Sequence, residues 1–201
     1  HDTANAMATS IATGALRLTG TDRQTFVQGM VSNDVAGLKP GQGCHAAFLD
    51  NTGHILAELH IHIFAESLLI ETDARCVARL ATTLDKYLIM EDVEIADVSS
   101  EWAIVSVQGD GARAELATVL ATPIPDLAAL DNIEIETVDN AAGYLVAVAH
   151  SLKGGYDLWL PIDAAQAVTA RLLNCGATLI GEKAAEILRI EAGIAAWGSE
   201  L

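Results

Sequence analysis

The chain has 201 residues, of which 51% are hydrophobic, so it is long enough to bury a substantial core. It carries 27 acidic residues against 11 basic ones, for a formal net charge of -16. Such a surface repels phosphate backbones and anionic lipids, which argues against direct nucleic-acid binding and against a membrane surface as a partner.

The three cysteines, Cys44, Cys76 and Cys175, lie far apart and form no CxxC pair. This spacing signals neither a disulfide framework nor a zinc site. Isolated thiols are typical of a reducing compartment, so we expect three free thiols and a cytoplasmic protein. The first residues lack the basic and apolar regions of a signal peptide, and no apolar run is long enough to span a bilayer.

The first half of the chain predicts strand, helix, hairpin, strand and helix. Alternating residues indicate a strand over 14–20, and Thr21 or Asp22 is the expected N-cap of the next helix. Residues 44–64 predict a hairpin. A strand is expected after it over 67–73, and an amphipathic helix over 74–88. One face of the second hairpin strand carries these residues: His54, Leu56, Glu58, His60 and His62.

The second half repeats this plan, with strands expected over 102–108, 143–150 and 156–161 and a helix over 163–176. The repeat spacing is 89 residues from Gly20 to Gly109, and 90 from Ala57 to Ala147 and from Asp73 to Asp163. A near-constant spacing predicts an internal duplication, with lobes at about 15–99 and 103–181. Runs of antiparallel strands with separate helices indicate the α+β class.

Five segments, in order, resemble the folate-binding domain of the glycine-cleavage T-protein and YgfZ superfamily. Within this superfamily the resemblance is closer to the YgfZ-like branch. They are LRLTGTDRQTFVQGMVSNDVAGL, LDNTGHILAEL, AIVSVQGDGA, GGYDLWLP and LRIEAGIAAWGSEL. The resemblance covers residues 16–201. It implies that residues 1–201 form one aminomethyltransferase-like domain, with a duplicated, two-lobed fold of antiparallel sheets and a tetrahydrofolate ligand.

In that family, the last of these segments leads into further chain and a small C-terminal barrel, which this sequence does not include. The sequence is therefore expected to be either a fragment or a separately encoded domain. The Lys-Gly-Cys-Tyr signature that marks the YgfZ branch would follow Leu201.

Asp157 is the first candidate folate-binding residue. The resemblance places it where T-proteins hold a glutamate that grips the pterin. A reduced pterin presents an amino group and a ring N–H side by side, and one carboxylate can accept a hydrogen bond from each. The alternative reading is an exposed acid on an edge strand.

Glu58 is the candidate catalytic residue. It matches the second aspartate of the family's Gly-Gly-x-x-Asp-Asp motif, which the stretch over 53–58 replaces with Ala57 and Glu58. The resemblance implies a carboxylate that orients or assists the folate amine. Here that carboxylate is one methylene longer, and catalytic geometry is sensitive to shifts of about 1 Å. A solvated glutamate on an antiparallel strand is the alternative.

Asn33 and Arg189 complete the candidate folate-binding residues. Asn33 and Asp34 match the family's Asn-Asp pair, although both residue types also stabilise turns through their own backbone. Arg189 lies on a predicted helix over 182–193, which we expect it to tie to neighbouring loops, close to the folate. The folate-contacting arginine of T-proteins matches Ala185 instead.

His60 and His62 share a strand face and could chelate a metal ion. No third ligand is clearly placed beside them, apart from His150 at the repeat spacing, whereas metal sites normally use three or four ligands. We therefore expect no metal site.

Three functions are compatible with these residues. The first is a tetrahydrofolate-binding, YgfZ-like protein that supports iron–sulfur or tRNA-modifying enzymes. The second is a tetrahydrofolate-dependent aminomethyltransferase in which Glu58 acts. The third is a non-catalytic interaction domain with a vestigial folate cleft. The departures at Ala57 and Ala185 favour the first over the second.

Overall fold

The computed structural model describes residues 6–9 and 13–200, which form eleven strands and five α-helices. The strands are β1 (Ala6–Thr9), β2 (Thr13–Thr19), β3 (Gly43–Leu49), β4 (Ile55–Ile63), β5 (Leu68–Asp73), β6 (Glu94–Asp97), β7 (Ala103–Gln108), β8 (Asn132–Glu136), β9 (Ala142–Ala147), β10 (Gly155–Leu160) and β11 (Thr178–Leu179). The helices are α1 (Arg23–Gln28), α2 (Ala74–Asp85), α3 (Ala112–Val119), α4 (Ile162–Asn174) and α5 (Glu182–Glu191).

Two sheets organise these elements. One has the strand order β3-β4-β5-β2-β6, and the other β11-β1-β7-β10-β9-β8. Among the described strands every pair is antiparallel except β1 with β11. The predicted α+β class with antiparallel sheets is confirmed.

The chain divides into two compact units, each built on one sheet. The first contains residues 13–100, and the second contains β1 together with residues 101–200. In the first unit β2 lies beside β5, and in the second unit β7 lies beside β10, which gives the matching orders β3-β4-β5-β2 and β8-β9-β10-β7. The close superposition of the lobes predicted over 15–99 and 103–181 stays a prediction.

In the first unit, α2 packs against one face of the five-stranded sheet. Asp73 caps this helix, because its side chain accepts a hydrogen bond of 2.8 Å from the backbone N–H of Arg75. The approach is close at Gly14, where a Cβ atom would lie 2.3 Å from the side chain of Val77. The buried residues on the packed faces include Leu16, Leu18, Ile61, Ile70, Leu80 and Leu84.

In the second unit, α3 and α4 cover one face of the six-stranded sheet. The core between them includes Val105, Val107, Leu116, Leu145, Leu158, Leu160, Val168 and Leu172. Neighbouring residues on a strand point to opposite faces. Ser106, Gln108 and Asp157 therefore lie on the face away from these helices, and all three are buried.

Several predicted boundaries differ from the structure. The strand predicted to reach residue 150 ends at Ala147, so His150 lies in the loop before β10. Asp22 is the N-cap residue of α1, but its carboxylate makes no cap hydrogen bond and instead accepts one of 2.9 Å from the N–H of Asp92. The short strands β6 and β8 were not predicted, although the five residues of β8 alternate between polar and apolar side chains.

All three cysteines are free thiols, with Cys44 and Cys76 buried and Cys175 exposed. Burial, together with the charge of Asp34, raises the pKa of Cys44. In the part of the chain that the structure describes, none of the helices combines the length and the apolar character needed to cross a membrane.

Leu158→Ala tests the core of the second unit. Leu158 is fully buried on β10, and we expect the truncation to lower the free energy of unfolding by about 2–5 kcal/mol. Leu152→Ala is the matched control, since Leu152 is 75% exposed and its loss should change stability by less than about 0.5 kcal/mol. Urea unfolding of both variants gives the comparison, and equal losses would contradict this description of the core.

Candidate functional site

A buried carboxylate on β10 is the central feature of the second unit. The side chain of Asp157 is only 2% exposed, and its Oδ2 lies 2.8 Å from Nε2 of His150. An ionised carboxylate can only accept, so Nε2 is the donor. Among the described residues, Oδ1 of Asp157 has no hydrogen-bond partner. Because a buried acceptor without a partner is costly, a ligand that supplies a donor to this oxygen would be favoured.

Gln108 holds the loop that carries His150. Its Oε1 accepts a hydrogen bond of 2.9 Å from the backbone N–H of His150, and its Nε2 donates to the carbonyl of Val148 at 3.2 Å and to the hydroxyl of Ser106 at 3.1 Å. Gly155 stands directly opposite Gln108, where a Cβ atom would come within 2.4 Å of the Gln108 side chain. The glycine therefore makes room for the glutamine that anchors the loop.

A second group of polar residues lies in the first unit, on the face away from α2. Nε2 of His45 lies 2.7 Å from Oε1 of Glu58, and the carbonyl of His45 accepts a hydrogen bond of 2.7 Å from the amide of Asn33. The structure thus connects two of the predicted residues, Asn33 and Glu58, through a third that was not predicted. Asn33 also caps the next residue, since its Oδ1 accepts from the N–H of Asp34 at 2.8 Å.

His60 and His62 both contact Glu71 on the same face of this sheet. Nδ1 of His60 and Nε2 of His62 each lie 3.4 Å from Oε2 of Glu71, whose side chain is 12% exposed. Burial alone would raise the pKa of Glu71, but the hydrogen bonds and charges of the two histidines hold it well below its ordinary value. No group of three or more His, Cys, Asp or Glu side chains within the described residues is arranged to hold a metal ion.

Arg189 is held within its own part of the chain. Its guanidinium contacts the carboxylates of Glu186 and Glu200 and donates to the carbonyl of Ile194. Hydrogen bonds to the two glutamates, Glu186 first, raise the pKa of Arg189 further above its ordinary range. These bonds tie α5 to the segment after it, as predicted. A folate contact of Arg189 stays a prediction.

The sequence model of the GCVT N-terminal domain matches residues 6–201. The chain belongs to the GCVT N-terminal domain family. This result confirms the predicted resemblance to the T-protein superfamily, while the closer relation to the YgfZ branch stays a prediction.

Curated relatives of this GCVT N-terminal domain are named aminomethyltransferases. The one from Herpetosiphon aurantiacus is 29% identical, over 92% of this chain and 51% of that protein. The one from Rubrobacter xylanophilus is 28% identical, over 94% of this chain and 50% of that protein. The chain thus spans about half the length of these relatives.

Solved structures share the fold. The glycine cleavage system aminomethyltransferase T from Bartonella henselae matches with a TM-score of 0.84 at 20% identity, over 96% of this chain and 52% of that one. A heterotetrameric sarcosine oxidase from Corynebacterium matches with a TM-score of 0.60 at 12% identity, over 94% of this chain and 86% of that one. At these identities the likeness concerns the fold.

Sequence reasoning missed the two histidines that contact the predicted acids. His45 lies 13 residues from Glu58, and the two meet only because β3 and β4 pair with His45 opposite His60. His150 had one sequence signal, its repeat spacing from His60, but that spacing did not indicate Asp157 as its partner. In this GCVT N-terminal domain, strand register brings His45 to Glu58, and the shape of the β9–β10 loop brings His150 to Asp157.

Glu71→Gln tests the buried pair of histidines and glutamate. A depressed folded-state pKa means that ionised Glu71 stabilises the protein fully above its ordinary pKa of about 4.3, and that this contribution is lost as the pH falls through the folded-state value. The loss of stability in the variant should therefore be smaller at about pH 3 than at about pH 5.

Urea unfolding across this pH range measures the difference in free energy of unfolding between parent and variant. Glu66→Gln is the control, because Glu66 is exposed in the loop between β4 and β5. A difference for Glu71→Gln that stays constant with pH would contradict the assigned interaction.

Proposed function

We propose that this domain binds tetrahydrofolate, with Asp157 accepting hydrogen bonds from the pterin, and that the whole protein uses the bound folate in aminomethyltransferase-type one-carbon chemistry. The family and the names of the relatives support the class of reaction. The observation that carries the binding proposal is the buried Oδ1 of Asp157, which has no hydrogen-bond partner among the described residues.

The chemistry of a reduced pterin fits this acceptor. Its amino group and ring N–H are planar, adjacent donors, and a carboxylate is their natural counterpart. The rest of the folate offers a chain of carboxylates, which a protein with 27 acidic and 11 basic residues is poorly equipped to bind tightly. Recognition therefore rests on the pterin ring, with the buried carboxylate as its anchor.

Glu58 is the residue that we propose for a role beyond binding. Tetrahydrofolate, when bound, supplies the amine that accepts the one-carbon unit. A carboxylate held in a fixed position can orient that amine or accept its proton. His45 holds one oxygen of Glu58 at 2.7 Å, which limits the freedom that the longer glutamate side chain would otherwise have.

A YgfZ-like role is the second proposal. Ala57 and Ala185 replace an acid and an arginine of the T-protein pattern, which favours folate binding without strong transferase activity. The partner would then be an iron–sulfur or tRNA-modifying enzyme. Formation of methylenetetrahydrofolate from an aminomethyl donor, measured on the whole protein, separates the two, since only the transferase forms it. A vestigial cleft is the third alternative, and it predicts no folate binding.

Asp157→Asn tests the binding proposal. The variant keeps the shape of the side chain but replaces one acceptor oxygen with an NH₂ donor that opposes the donors of the pterin. We expect the affinity for 5-formyltetrahydrofolate to fall about ten- to a hundredfold, the value of a charged hydrogen-bonded pair.

Calorimetric titration of parent and variant measures the effect. Asp34→Asn is the matched control, because Asp34 is exposed, and its affinity should equal that of the parent. Equal affinities for all three proteins would rule out Asp157 as the pterin anchor.

A further inference from the structure

We infer that His150 is a displaceable partner of Asp157. Its imidazole donates a hydrogen bond to the carboxylate in the free protein, and it moves away when a ligand with two adjacent N–H donors binds. The inference rests on the proposed function, because it concerns the same carboxylate. It adds a residue that controls access to the site and selects for paired donors.

The first argument is access. Oδ1 of Asp157 is fully buried, and the whole side chain is only 2% exposed. Nε2 of His150 covers the other oxygen at 2.8 Å. A ligand therefore reaches this carboxylate only after a neighbouring group has moved.

The second argument identifies the group that moves. Asp157 lies within β10 and pairs with β7 and β9 on both sides, so its backbone is fixed. His150 lies in the loop between β9 and β10, and its side chain is 29% exposed. Because the ring contacts Oδ2 and also reaches solvent, it marks a route from solvent to the carboxylate.

The third argument concerns what stays in place when the ring leaves. The backbone N–H of His150 donates to Oε1 of Gln108, and the neighbouring carbonyl of Val148 accepts from Nε2 of the same amide. Gln108 itself is 5% exposed and packs on Gly155. The loop is thus anchored by its backbone, and rotation of the imidazole about its own side-chain bonds exposes Asp157 without unfolding the loop.

The fourth argument is the count of hydrogen bonds. In the free protein, His150 supplies one donor to the carboxylate, and none of the residues that the structure describes donates to Oδ1. A ligand with two adjacent donors satisfies both oxygens, so the exchange adds one charge-assisted hydrogen bond. A ligand with a single donor would only replace the imidazole and gain nothing. The arrangement therefore selects for a ring that carries an amino group beside an N–H.

The free protein also has a reason to keep the histidine. A buried carboxylate without any donor is strongly unfavourable, and His150 supplies that donor until the ligand arrives. The same residue that stabilises the empty site consequently competes with the ligand.

The variant His150→Ala tests whether the imidazole competes with the ligand for Asp157 or helps to bind it. If the imidazole must be displaced, its removal should lower the melting temperature of the free protein and tighten binding of 5-formyltetrahydrofolate about tenfold, the low end of the range for a charged hydrogen bond. His150→Gln keeps an N–H donor on the loop and should bind close to the parent. His54→Ala, at a histidine whose side chain is 81% exposed in the β3–β4 turn, should change nothing.

Nitrogen-detected NMR of the imidazoles provides a readout that a structural role would not move. The Nε2 signal of His150, assigned by its loss in His150→Gln, should shift on saturation with the ligand, because its hydrogen bond to Asp157 is broken. Weaker binding by His150→Ala, or an unchanged Nε2 signal in the saturated parent, would overturn the inference.

These outcomes are distinguishable from failure of the proposed function. If Asp157→Asn weakens binding and His150→Ala weakens it too, folate binding through Asp157 stands and the displacement is wrong. If the parent binds no 5-formyltetrahydrofolate, or if Asp157→Asn binds as well as the parent, the assignment of Asp157 and the displacement are both wrong.

Discussion

The alternation of side chains along paired antiparallel strands is the constraint on which the rest of this structure depends. In both sheets one face is apolar and packs against helices, so every second residue of the same strands is directed to the other face. On β10 this rule places Leu158 and Leu160 in the core and Asp157 on the opposite side. A polar site inside a sheet is therefore a direct consequence of how its core is made.

Histidines resolve the electrostatic problem that this arrangement creates. All five histidines in the described part of the chain contact a carboxylate: His45 with Glu58, His54 with Asp50, His60 and His62 with Glu71, and His150 with Asp157. An acidic residue removed from water needs a donor, and an imidazole provides one without requiring a permanent charge. In a chain with only 11 lysines and arginines, the histidines allow Glu71 and Asp157 to remain largely buried, whereas the pair of His54 with Asp50 lies in the exposed β3–β4 turn.

The pairs differ in how firmly they are held, and this difference separates stability from function. Glu71 is contacted by two histidines, one of which is only 1% exposed, so this group behaves as part of the folded framework. Among the described residues, the carboxylate of Asp157 has one partner, in a loop, and one oxygen without a hydrogen bond, which is the property expected of a site that binds a ligand. The class of reaction is proposed from the family and the names of the relatives, whereas the ligand contact is proposed from this local imbalance.

The sequence by itself determined the strands and helices with strong periodicity, the face on which Glu58, His60 and His62 lie, and the family. Periodicity is a local property, so the alternation of neighbouring residues is enough to indicate that positions such as Leu16 or Leu158 lie in strands with a buried face. The short strands β6 and β8 were not predicted: β6 has only four residues, and β8, although its residues alternate, has only five.

Only the tertiary structure decided which acid meets which histidine. The contact of His45 with Glu58 depends on the register between β3 and β4, and that of His150 with Asp157 on the loop that Gln108 anchors. A shift of one residue in the β3–β4 register would place His45 and Glu58 on opposite faces of the sheet and abolish their contact. Register and loop shape result from packing across the whole unit, and no local stretch of sequence contains them.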